Sequence, residues 1–345
     1  MKTIEQLVSN LPEKLNSEIN KYSQKIDYEN FSLIETNKTF NLKALKNASL
    51  IVNIEKTNNF RRVNKFHEKV NFALTMGGIY ISCAETSHQR SLRKWKKSKF
   101  FLGPLILFID FLYKRVFPKI PILNKIYFMM TRGYNRVMSE SEIMGRLVSC
   151  GFEVMNVIES NDLSYYVSTK VRDPFFDMNP SYGPIFSMKR VGKEGKIISV
   201  YKFRTMSPYS EYIQKKITDE NKLDSSGKIK DDSRITFYGK FLRKYWIDEF
   251  PMIINWFKRD LKLVGVRPLS EDYFRRYPDD LKELRIKTKP GLVPPYYVDL
   301  PITFEEICES ERKYLTLFTK KPLRTDISYF FRAFYNIIIK RKRSK

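Results

Sequence analysis

The stretch YGPIFSMKRVGKEGKIISVYKFRTM, residues 182–206, reads as a β-hairpin. Arg190 and Gly192 close a first apolar and polar alternating run, Lys193 to Lys196 turn, and IISVYKFR makes the second strand. Lys202 and Arg204 stand two apart on that strand, a spacing that sends both side chains to one face. An Arg fork and a Lys point charge beside a tight turn suit a phosphate, although a solvated strand face carries the same pattern.

Downstream lies DDSRITFYGKFLRKYWIDEFPMIINWFKRDLKLVGVRPL, residues 231–269. Asp248 and Glu249 precede Phe250-Pro251, and Pro in a first turn followed by MIINWFK places both carboxylates at a helix N-terminus. The partial positive charge there favours ionised carboxylates, and Arg243 and Lys244 upstream are expected to push the same way. An ionised carboxylate is what a nucleophile or a metal ligand must be, yet acids at a helix start also serve as simple caps. In VGVRPL (264–269), Arg267 sits before a rigid proline and presents its guanidinium from a fixed turn.

These segments, in order, resemble the bacterial sugar transferase family, the monotopic polyprenyl-phosphate phosphoglycosyl transferases. The series runs GPIF, KRVG with GK, YKFRTM, DSRIT with GKFLRK, IDEFP, Asn255 with the KRDLKLVGVRPL run, KPGL (289–292) and TDISYFF (325–331) after Pro322. The resemblance covers about residues 180–335. It implies an enzyme, a glycosyl-1-phosphate transferase. A sugar 1-phosphate passes from a nucleotide diphospho-sugar, with a UDP-sugar expected, to polyprenyl (undecaprenyl) phosphate, which initiates capsular or extracellular polysaccharide or O-antigen repeat units. The family's Asp-Glu dyad falls on Asp248 and Glu249. Asp248 is the expected nucleophile through an aspartyl intermediate, and Glu249, with Asp248, the expected Mg²⁺ ligand. Arg190, Lys202, Arg204, Arg243 and Arg267 match basic motif positions and are expected to bind phosphate and nucleotide. LVPPYY (292–297) departs from the Thr-Gly turn of many relatives. So does VSTKVRDPFFDMNPSYGPIF, too polar and proline-rich for the re-entrant membrane segment that usually precedes GPIF.

The N-terminal half alternates short strands and helices: FSLIET from Phe31, ASLIVNIEK (48–56), a helix to about Leu74, then GGIYISCAET (77–86). A helix from SESEIMGRLVSC ends at Gly151, and FEVMNVIE with LSYYVSTKV make a closing pair. This order resembles the second half of a class I methyltransferase, over roughly residues 31–170. No glycine precedes Gly77, so the turn that would approach the cofactor is missing and no SAM is expected. The expected fold class is mixed α and β. It comprises a truncated Rossmann-like, methyltransferase-like domain (1–170) with a basic and apolar insertion at 91–132, and a compact α+β sugar transferase catalytic domain (171–345). His67 and His88 are read as packing or surface residues.

Over the whole chain of 345 residues, 63 Lys and Arg oppose 38 Asp and Glu, leaving a formal +25. At 42% apolar and 14% aromatic composition the chain has ample material for packed cores. Three scattered cysteines and two histidines make neither a disulfide framework nor a zinc site. Residues 91–132 hold ten Lys and Arg and one acid, Asp110, around the apolar run FFLGPLILFIDFLYKRVFP (100–118). That run, broken by Gly103-Pro104, is too short to span a bilayer. An interfacial contact with an anionic membrane is the expectation, through Phe100, Phe101, Phe108, Phe111, Lys114 and Arg115, with basic Lys340 to Arg343 adding to it. A buried helix with a solvated basic entry is the plainer alternative. The expected location is the cytoplasmic face of the bacterial inner membrane, peripheral or monotopic, without a full transmembrane helix. No helix-turn-helix, finger or RNP motif accompanies the charge, so no nucleic-acid partner is expected. A catalytically decayed, basic docking protein is the alternative function.

Overall fold

The computed structural model describes residues 12–23, 31–97, 102–160, 162–176, 182–220 and 232–339. The chain is a mixed α/β protein dividing into two compact units, Met1–Pro184 with Met206–Phe237, and Ile185–Thr205 with Tyr238–Lys345.

The first unit is built on five strands: β1 (Phe31–Ile34), β2 (Ala48–Lys56), β3 (Leu74–Ala84), β4 (Phe152–Ser160) and β5 (Leu163–Lys170). They lie in the order β1-β2-β3-β5-β4, with the first three parallel and β5 antiparallel to both neighbours. The central strands are apolar on both faces, as a covered parallel sheet requires. On one face Ile51, Tyr80 and Tyr166 pack against Phe66 and Val70 of the helix Val63–Ala73 and Ile143 and Leu147 of the helix Glu140–Ser149. On the other, Leu50, Val52 and Ile81 pack against Leu15 and Ile19 of the helix Glu13–Ser23. The Glu140–Ser149 helix is capped as its sequence predicts: Ser139 Oγ accepts from the Glu142 amide. Gly151 then takes φ +90°, where a Cβ would stand 2.2 Å from the Arg172 carbonyl oxygen.

His67 is buried among Phe60, Phe66 and Tyr80, in keeping with a packing role. Neither of its ring nitrogens has a hydrogen-bond partner among the described residues. Burial, then the charge of Arg146, pulls its pKa down to about 3, so it is packed as a neutral ring.

The basic insertion folds as helices Ser87–Lys97, Gly103–Phe111 and Leu123–Thr131. Gly103-Pro104 starts a helix here and does not interrupt one, since proline at a helix's first positions lacks only an N–H that would go unused. Asp110, the stretch's single acid, faces inward and takes both Nε and an NH2 group of Arg90 at 2.7 and 2.9 Å. Leu105, Phe108 and Ile109 on that helix, and Ile122, Ile126, Met129 and Met130 beyond it, remain exposed. Phe111 is half-buried, and Lys114 is half-buried over the Tyr113 and Tyr127 rings. Arg115 is not a surface contact. It is buried, donating to the Val137 carbonyl and ion-paired with Glu142, because a buried carboxylate demands a counter-charge. Phe100, Phe101 and the Lys340 to Arg343 tail lie outside the described residues. No helix of the described residues is long and apolar enough to cross a membrane.

The segment 206–237 carries the DSRIT motif, and its described residues pack within this first unit. Met206 bridges Ile235, Ser207 N donates to the Arg234 carbonyl, and Ser141 Oγ donates to the Ser233 carbonyl. Asp232 holds Arg234 through two bonds of 2.8 and 2.7 Å. A Cβ on Gly145 would lie 2.1 Å from the Tyr209 carbonyl oxygen, so the motif segment rests directly on that helix backbone.

The second unit contains the hairpin β6 (Ile185–Val191) and β7 (Ile197–Phe203), antiparallel, turning through Glu194 and Gly195 at positive φ. A parallel pair, β8 (Lys262–Val264) and β9 (Gly291–Val293), backs onto the helices Phe304–Lys320 and Pro322–Phe334. Tyr314, Leu315, Tyr329 and Ala333 of those helices form the core with Val264 and Val266.

Candidate active site

Asp248 and Glu249 occupy the first turn of a 3₁₀ segment, Ile247–Met252, that leads into the helix Ile253–Phe257. The sequence expectation of a helix N-terminus is therefore met in its position, with a tighter first turn. Trp246, at φ 59°, sets the entry, its ring centroid 4.3 Å from that of Tyr297.

Lys202 on β7 reaches Glu249, its Nζ 2.5 Å from Oε1. What fixes that approach is Asn255, fully buried and not anticipated from the sequence as a site residue. Its Nδ2 donates to the Ser199 carbonyl at 2.7 Å and to Asp260 Oδ2 at 3.2 Å, and its Oδ1 accepts from Tyr201 N at 3.0 Å. One amide thus ties the edge of β7 to the helix that follows the carboxylates.

Arg243 approaches from the helix Phe237–Lys244, its Nε donating to Thr205 Oγ1 at 2.9 Å. That helix can lie so close only because Gly239 has no side chain: a Cβ there would stand 2.0 Å from the Thr205 carbonyl oxygen. Arg267 emerges from the turn after β8, and Tyr296 first, then the nearby Glu249 carboxylate, raise its pKa against the opposing effect of burial. The turn is held from three sides. Val191 N donates to the Leu269 carbonyl, Gly291 N to the Val266 carbonyl, and an Arg285 NH2 group to the carbonyl of Arg267 itself. Gly265 and Gly291 touch through their backbones, a Cβ on Gly291 falling 2.1 Å from Gly265 N. That contact accounts for the glycines of both VGVRPL and KPGL.

Arg190 lies close to Arg267, whose charge adds to burial in lowering its pKa. Arg204 stacks on the Phe186 ring, 5.1 Å from its centroid. The structure thus gathers Lys202, Arg243 and Arg267 about the carboxylates, with Arg190 beside Arg267.

Asp248 departs from the sequence expectation. Lys202 and Arg243 do draw its pKa down, but burial, followed by the neighbouring Glu249 charge, outweighs them, and the net shift is upward. A carboxylate with a raised pKa is more basic and more nucleophilic than a free one, provided the site holds it ionised when substrate is bound. The adjacent Asp248 and Glu249 match in number the one or two carboxylates that Mg²⁺ takes from a protein when phosphate oxygens and water complete its shell. Among the described residues no group of three His, Cys, Asp or Glu could form a closed protein site.

Two supports lie outside the site residues expected from the sequence. Arg285 and Glu311 form a buried ion pair beneath the Arg267 turn. Asp326 of the TDISYFF motif pairs with Lys262 of β8 at 3.1 Å and accepts from Tyr314 OH at 2.6 Å, so this motif braces the fold.

With this geometry in place, comparison with known proteins is decisive for the segment that carries it. The bacterial sugar transferase profile matches residues 176–340. Residues 176–340 belong to the bacterial sugar transferase family. Within that sugar transferase segment lie both carboxylates and all five basic residues expected from the sequence. The galactosyl transferase CpsE of Streptococcus agalactiae is 43% identical over 112 residues, covering 32% of this chain and 25% of that protein. The undecaprenyl-phosphate galactose phosphotransferase of Salmonella typhimurium is 32% identical over 163 residues, 46% of this chain and 33% of its own length. The UDP-glucose:undecaprenyl-phosphate glucose-1-phosphate transferase of Escherichia coli is 35% identical over 115 residues, 32% of this chain and 23% of its own. The chain thus spans a quarter to a third of the length of these relatives.

Proposed function

We propose that the protein is a phosphoglycosyl transferase, moving a sugar 1-phosphate from a UDP-sugar to polyprenyl phosphate and so initiating polysaccharide repeat units. The observation that carries this reading is the Asp248-Glu249 turn flanked by Lys202, Arg243 and Arg267.

In the first step an Asp248 carboxylate oxygen attacks the sugar-proximal phosphorus. A P–O bond forms there as the bond to the bridging oxygen breaks, and UMP departs with that oxygen. In the second step a phosphate oxygen of the lipid attacks the same phosphorus, the aspartyl bond breaks, and Asp248 returns as a carboxylate. Two dianionic partners repel one another, and the three cations offset that repulsion. Mg²⁺, when bound, would neutralise phosphate charge, and Asp248 and Glu249 are the residues that would hold it.

A lipid acceptor needs apolar surface beside the carboxylates. Phe250, next to the dyad in sequence, and Phe257, at the end of the helix that follows it, are 66% and 72% exposed and support that requirement, as do exposed Ile253 and Ile254. For the first unit, the strand order with its antiparallel β5 supports a truncated methyltransferase-like scaffold, and the exposed apolar residues of the insertion support an anionic membrane surface as partner, on the cytoplasmic face.

The test is incubation with candidate UDP-sugars, Mg²⁺ and undecaprenyl phosphate, following UMP. Release is expected from the wild type and not from Asp248→Asn. UMP release that persists in Asp248→Asn removes the proposed nucleophile.

A further inference from the structure

The first unit contains a cavity of about 850 Å³ lined by nine Lys and Arg side chains against two carboxylates, Glu68 and Glu142. It lies wholly among residues of that unit, and nothing in the transferase reading uses it.

The inner wall has more positive charge than it can neutralise. Glu142 is already engaged twice: Arg115 pairs with one carboxylate oxygen, while Arg146 donates to the other from Nε and an NH2 group at 3.1 and 2.8 Å. Arg115 and Arg146 are buried, and the field of Lys119 also falls on Glu142. Arg136 is left over. It donates to the Phe60 carbonyl, but its Nε is sealed from solvent with no hydrogen-bond partner among the described residues. Burial, then repulsion from Arg146, pulls its pKa down to about 10. Two buried guanidiniums and a third that is half-buried with its Nε sealed thus share one carboxylate, and positive charge held in such a wall is unfavourable unless something answers it. An anion with several acceptor oxygens would answer it, because a guanidinium edge matches a phosphate in a two-bond fork.

We propose that this cavity is a second anion site, separate from Asp248, which binds a phosphate group through Arg136 with Lys119 on its wall. Two sources fit that chemistry: a free phosphorylated metabolite, or the headgroup of an anionic lipid reached from the exposed apolar helices of the same insertion.

The full chain in chloride buffer tests this by thermal unfolding with inorganic phosphate, pyrophosphate or UMP added. In parallel, flotation is measured on phosphatidylglycerol against phosphatidylcholine vesicles. A rise in unfolding temperature with a soluble phosphate identifies a free ligand; a preference for phosphatidylglycerol with no soluble response identifies a headgroup. Either response should weaken about tenfold in Arg136→Gln, the loss of one charge-assisted phosphate contact, and survive in Arg243→Gln. Arg136→Gln should also leave the ligand-free chain at least as stable as the wild type, since burial and repulsion from Arg146 disfavour the charge it removes. Should that variant fail to fold, Lys119→Gln is expected to weaken the same response. The proposal is overturned if the wild type shows neither response, if the response disappears in Arg243→Gln but not in Arg136→Gln, or if Lys119→Gln and every folded Arg136 variant keep it in full.

Discussion

Asn255→Asp is the sharpest probe of how the site is held. The substitution is isosteric, and the Oδ1 that accepts from Tyr201 N has a counterpart in the new carboxylate. The other atom changes from a donor to an acceptor, facing the Ser199 carbonyl at 2.7 Å and Asp260 Oδ2 at 3.2 Å. Losing a neutral hydrogen bond costs about 1 kcal/mol and losing one to a charged acceptor about 1.5–3, so roughly 3 kcal/mol of stability is at stake. Ionisation of the new carboxyl beside Asp260 would add to that. The functional effect follows from the chain: Tyr201 is next to Lys202, and slack at β7 loosens the pairing of Lys202 with Glu249. Urea unfolding should show the loss, and UMP release should fall about tenfold or more at unchanged protein concentration. Adding Asp260→Asn restores a donor opposite the new carboxylate and should recover part of the stability, leaving the Ser199 carbonyl unanswered. A loss below about 1 kcal/mol with full activity would refute the claim that Asn255 fixes the approach of the strand to the dyad.

Further outcomes follow from other parts of the molecule. Gly239→Ala forces the Arg243 helix away from Thr205, costing about 1–3 kcal/mol by overpacking and reducing UMP release with it. His67, at about 3 folded and 6.5 free, binds a proton more readily in the unfolded chain, so its contribution to stability falls as pH drops below 6.5. About 2 kcal/mol should be lost between pH 7 and 5 on that account, and His67→Met should flatten this part of the urea-midpoint profile. Because Glu249 raises the Asp248 pKa and Lys202 lowers it, the acid limb of the activity profile should move to lower pH in Glu249→Gln and to higher pH in Lys202→Met. Movement of both variants in one direction contradicts that electrostatic order. Phe250→Ser with Phe257→Ser should reduce liposome flotation about tenfold or more, given about 1.5–3 kcal/mol for each apolar side chain buried in the interface.

Much of this protein is written in local pattern. The β6/β7 hairpin, the individual strands of the first unit, the Ser139 cap and the placement of Asp248 and Glu249 before Pro251 all follow from residues a few positions apart. Local rules govern turns, caps and alternation, so one sequence suffices for them. The chemistry of charge was less legible. Upstream cations suggested an Asp248 held low, whereas burial and Glu249 win. Arg115 looked like a membrane residue within an apolar run, whereas Glu142, 27 positions away, turns it inward. Asn255 stood in the motif series without a role until Ser199 and Tyr201 came alongside it. The sequence by itself determined which elements form and which ionisable groups exist. Tertiary structure alone decided which of those groups are buried, paired or left over, because desolvation and Coulomb energy depend on distances through space that no spacing along the chain encodes.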